Sequence, residues 1–159
     1  YGDIYLSDAF NPRAKTLSVM SDGKIYIQGY TLPSTLAAGT LIAKGANVEV
    51  TGTVDATSAP GVKLRLESTD STNGEVVLGS STVINLPKTT SVQNNSNWYD
   101  EADLRFNGNR LRVKPGAQVT VGGVSNRAGI VQVSTNKLAV EPGSESVFTT
   151  GVLVVDSAL

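Results

Sequence analysis

Apolar and polar residues alternate in short runs along most of this chain. Ile25 and Ile27 face one way while Lys24, Tyr26 and Gln28 face the other. Val48 and Val50 stand opposite Asn47, Glu49 and Thr51, and Val62, Leu64 and Leu66 stand opposite Lys63, Arg65 and Glu67. A period of two is the mark of a strand with one buried face. Further runs of this kind fall at residues 3–6, 16–20, 40–42, 75–78, 82–86, 118–121, 130–133, 137–140 and 151–155. No stretch combines a 3.6-residue period with capping residues, so the pattern predicts an all-β chain with almost no helix.

Turn chemistry punctuates the runs. Pro60-Gly61, Pro115-Gly116 and Pro142-Gly143 each read as a type II turn, Pro setting φ at the second position and Gly accepting positive φ at the third. Gly45 opens the unit Gly-Ala-Asn-Val-Glu-Val, and Gly116 opens the similar Gly-Ala-Gln-Val-Thr-Val. Asn107-Gly108 reads as a type I′ hairpin turn. That hairpin sets Leu104 opposite Leu111, Asp103 opposite Arg112, and Arg105 opposite Arg110. Ser21-Asp22-Gly23 predicts a second hairpin between residues 16–20 and 24–28.

About a dozen short strands between such turns predict a single-domain β-sandwich of jelly-roll type. The alternative is a short β-solenoid, supported by the repeated Gly-Ala-x-Val-x-Val unit. The uneven separation of Gly45, Gly116 and Gly143 weighs against a regular coil period. Residues 16–159 form one all-β domain in this reading, with residues 1–15 as an N-terminal arm or edge strand.

Composition narrows the chemistry. The chain has 159 residues, enough for one core. Only 17% are charged and the formal net charge is −1, which argues against nucleic acid as a partner. Cys and His are both absent, so thiol catalysis, His-dependent triads and Cys or His metal sites are excluded. No apolar run approaches the length of a membrane-spanning helix. The first residue is Tyr1, which points to a removed leader or to a longer parent chain.

Candidate contact residues cluster in two places. The polar loop at residues 87–99 ends in Trp98-Tyr99, beside Asn94, Asn95 and Asn97. Aromatic faces and amides suit a sugar or a protein partner. Arg105, Arg110, Arg112 and Lys114 form a basic strip on the outer face of the expected hairpin. Asn94-Asn95-Ser96 matches a glycosylation acceptor. Asp100, Glu101 and Asp103 are the only acidic cluster, and they read as a solvated loop edge. No cofactor is expected; the segment Asp70-Ser71-Thr72-Asn73-Gly74-Glu75 resembles only part of a calcium loop. Val152-Leu153-Val154-Val155 is apolar on both faces, which suits a central strand or one covered by another subunit.

These features favour a non-enzymatic structural or assembly protein, of a virion or an extracellular surface structure, that forms homo-oligomers or joins other structural subunits. A carbohydrate-binding or adhesin module is the alternative.

Overall fold

The computed structural model describes residues 2–7, 12–89, 102–124, 127–144 and 147–157. The strands are β1 (Ile4–Ser7), β2 (Thr16–Met20), β3 (Lys24–Thr31), β4 (Thr40–Gly45), β5 (Asn47–Val50), β6 (Thr53–Asp55), β7 (Lys63–Ser68) and β8 (Glu75–Leu78). They continue with β9 (Val83–Leu86), β10 (Leu104–Val113), β11 (Gln118–Val121), β12 (Gly123–Val124), β13 (Arg127–Ala128), β14 (Ile130–Val140), β15 (Phe148–Thr150) and β16 (Val152–Val155). The only helical element among the described residues is a single 3₁₀ turn at Ser34–Leu36. Among the described residues no helix is long and apolar enough to cross a membrane. The all-β expectation therefore holds.

The strands pair in three parallel ladders. The first runs β2, β4, β7, the first half of β10, the first half of β14, then β16. The second runs β1, β3, β5, β8, the second half of β10, then the second half of β14. The third joins the end of β3 to β6, β9, β11 and β15. The chain visits the ladders in that order and then returns to the first, one position further along. Among the described residues the one antiparallel pair is β12 with β13. A jelly roll is built from antiparallel hairpins, and this pairing is not of that kind.

Parallel register lines up the inward residues of successive passes. Leu17, Leu41, Leu64, Leu104, Val131 and Leu153 form one column. Ile4, Ile25, Val48, Val76, Leu111 and Leu138 form another. Along these two columns each pass takes about 21–28 residues, save the one holding the long connection from β9 to β10. Most of these residues are fully buried and belong to a single apolar core. The core is thus continuous along the stack, with each pass covering the one before.

The expected hairpin at Asn107-Gly108 is not formed. β10 continues through it without reversing, and Arg105 lies beside Gln132 rather than Arg110. A type I′ turn needs positive φ at both central residues. Here only Gly108 has it, at +124°. Gly108 instead bends the strand where it passes from the first ladder to the second. A Cβ at this position would collide with Ser68 of the preceding pass. Passage without reversal gives each half of β10 a neighbour on both edges. Leu104 lies between Leu64 and Val131, and Leu111 between Val76 and Leu138. A hairpin would turn one edge of each half onto the other and forfeit at least two of these four contacts. Ser21-Asp22-Gly23 is likewise a corner, since β2 pairs with β4 and β3 with β5.

The Pro-Gly pairs also lie at corners. Gly61, Gly116 and Gly143 have φ of +76°, +95° and +92°. In each turn the fourth residue's amide donates to the first residue's carbonyl: Val62 to Ala59, Ala117 to Lys114, and Ser144 to Glu141. Gly45 ends β4, and a Cβ there would press on the Gly23 carbonyl of the previous pass.

Both leucines of β10 are fully buried despite the lost hairpin. Replacing Leu104 or Leu111 with Ala should cost about 2–5 kcal/mol in chemical denaturation. A loss near zero at both positions would contradict the shared core.

Candidate functional site

The corner at Gly108 divides the basic strip. Arg110 and Arg112 lie on the second ladder, where both reach Oε1 of Glu75, at 3.0 and 2.8 Å. Arg105 lies on the first ladder beside Arg65, and its Nε donates to Gln132 Oε1 at 3.1 Å. Burial, reinforced by the neighbouring Arg105 charge, pushes Arg65 down to about 10. Burial also lowers Lys63, with Arg65 as the second cause.

Asp103 does not meet Arg112 as the hairpin required. It is buried, and its two carboxylate oxygens accept from Arg127 Nη2 and Nη1 at 2.9 and 3.0 Å. Oδ2 also accepts from the Ile130 amide at 2.9 Å. This carboxylate ties the entry of β10 to the start of β14. The sequence marks the pair weakly, because the partners are 24 residues apart and become neighbours only through parallel stacking.

Trp98, Tyr99, Asn94 and Asn97 lie outside the described residues, as do Asp100, Glu101 and the Asn94-Asn95-Ser96 acceptor. In the loop that resembles part of a calcium site, Asp70 Oδ1 accepts from the Thr72 and Asn73 amides at 2.9 and 3.0 Å. Glu75 is engaged by the two arginines. Among the described residues no three carboxylates are grouped to hold a metal ion.

Two surface features stand out. The first is an open polar cleft of about 430 Å³ beside the Gly108 corner, whose walls include Lys44, Glu67, Thr69, Ser71, Asn109 and Asn136. Lys44 and Glu67 pair across it at 3.3 Å. Asn109 Nδ2 donates to the Thr72 carbonyl at 3.0 Å, and Asn136 Nδ2 to Asn109 Oδ1 at 3.4 Å.

The second is the placement of exposed apolar side chains. Among the described residues the large ones are Tyr5, Met20, Val140, Val152, Leu153 and Val155. All six lie on strands at the two ends of the stack: β1 and β2 at one, the second half of β14 and β16 at the other. Val152, Leu153 and Val155 are 37%, 46% and 43% exposed. Among the described residues β16 pairs with β14 alone, so its two apolar faces do not come from a central position among these strands. Among the described residues the flanks of the intervening passes carry no exposed large apolar side chain.

Comparison with models of known protein families, with curated proteins and with solved structures gave no match.

Carboxylates at the corners make stability depend on pH. The Thr57 hydroxyl holds Asp55 below the ordinary carboxylate value, aided by the Thr57 amide and Asn85. The Asn73 and Thr72 amides do the same for Asp70. Their contribution is complete above the unfolded value of 3.8 and disappears as pH falls through the lower folded values. The denaturation midpoint should therefore drop on acidification below about pH 4. Asp55→Asn should flatten part of that drop, and an unchanged slope would contradict the assignment.

Proposed function

We propose that this protein is a non-enzymatic structural or assembly element, a parallel β-solenoid, used in a virion or an extracellular surface structure. The observation that carries this reading is that, among the described residues, the exposed large apolar side chains are confined to the two ends of the stack. At the β16 end Val140, Leu153 and Val155 leave inward columns open to water, from which a monomer that works alone gains nothing. Burying apolar surface of this kind is a main driving force for association. The solenoid reading draws support from the parallel ladders and from the chain's repeated circuit through them. An extracellular or virion setting suits a surface of hydroxyls and amides with few charges. Light scattering over a wide concentration range should give a mass that rises above that of one chain. A single-chain mass throughout would overturn the proposal.

The polar cleft favours a second reading, a carbohydrate-binding or adhesin module. Hydroxyls and amides at Thr69, Ser71, Asn109 and Asn136 suit a neutral sugar. A glycan array should then show a hit that is lost in Asn109→Ala and Asn136→Ala together. A blank array would remove this reading.

A further inference from the structure

We propose that the occupant of the open β16 end is the β1–β2 end of a second copy, stacked head to tail in register. This rests on the assembly reading above and names its contact. One displacement along the stack satisfies two ladders at once. β2 of the second copy falls on β16, continuing the first ladder. β1 of the same copy falls on the second half of β14, continuing the second ladder. The offset between β1 and β2 at one end therefore fits the offset between β14 and β16 at the other.

Register extends the inward columns without a break. Leu17 of the second copy meets Leu153, and Val19 meets Val155, as their columns run within one chain. Ile4 meets Leu138, and Leu6 meets Val140. Every meeting is apolar on apolar. On the outer face Asp3, which lies next to Lys24 in its own chain, falls on Lys137, so opposite charges meet.

Backbone phase agrees. The Val152 and Asp156 amides donate to the carbonyls of Gly129, just before β14, and Val133 of β14, so the even residues of β16 face inward along the stack. The Leu153 and Val155 amides then point to the open edge. In β2 the Ser21 amide donates to Lys44, and the Lys15 carbonyl accepts from Thr40. The odd residues of β2 thus face β4, and the Ser18 amide points to the open edge. Two open edges with matched phase can complete a parallel ladder. Such a contact joins different surfaces of the two copies, so it propagates rather than closing as a symmetric dimer.

The test uses proline at two open-edge amides, where no bond of the chain's own ladder is lost. Ser18→Pro blocks one end and Leu153→Pro blocks the other, with circular dichroism confirming that each variant folds. In sedimentation velocity each variant alone should associate at least about tenfold more weakly than the parent. An equimolar mixture should form a one-to-one complex, because each variant supplies the end that the other lacks. If both variants associate like the parent, the assembly reading stands and the stacking is overturned. If only Leu153→Pro is affected and the mixture does not pair, the contact joins two like ends, which also overturns it. A parent chain that stays single at every concentration overturns both readings.

Discussion

Parallel pairing is the constraint on which the rest of this structure depends. A parallel strand cannot be satisfied by its neighbour in sequence through a tight turn; it needs a segment a full circuit away. Each pass of this chain therefore rests on the pass before and carries the next. The inward columns, such as that from Leu17 to Leu153, follow directly. So does the demand for close approach at corners, where Gly108 lies against Ser68 of the earlier pass.

The outer faces obey the same rule, with polar groups meeting one pass apart. Lys24 pairs with Glu49 at 2.7 Å, and this partner raises the lysine above its ordinary value. Glu75 is shared by Arg110 and Arg112 of the next pass. Tyr5 stacks on Tyr26 with ring centres 4.7 Å apart. Exposed ion pairs contribute little individually. Their larger effect is on register, since a slip by one residue would turn every inward side chain outward. Arg65 beside Arg105 is the exception in this pattern, and the fold holds the first of them below its usual basicity.

Strand identity was legible in the sequence because a period of two appears wherever one face is buried, in any sheet. Val48 and Val50, or Leu64 and Leu66, show it plainly. Pairing was not legible, because the same alternation serves parallel and antiparallel neighbours alike. Asn107-Gly108 shows the difficulty: a dipeptide that favours a hairpin also permits a single bent corner, and neighbours on both edges decide between them. Glycine spacing misled for a related reason. The corners differ in length and composition, whereas the repeat lies in the apolar columns. The long segment between β9 and β10 further hides the period. Among candidate site residues, Arg110 and Arg112 meet around Glu75. Arg105 lies beyond the corner. The Asp103–Arg127 pair is only weakly marked, because its partners are 24 residues apart. The doubly apolar run at Val152–Val155 was legible as an anomaly, and its position at the end of the stack gives that anomaly a physical meaning.

The outer edge of β16 presents the same inward columns and the same kind of open amides as the strand beneath it. The most direct measurement is residue-resolved amide hydrogen exchange of the whole chain at low and high concentration. Protection should rise on concentration at the Leu153 and Val155 amides and at the Ser18 amide together, while amides within the central passes stay unchanged. Protection at these three positions that does not depend on concentration would contradict the account.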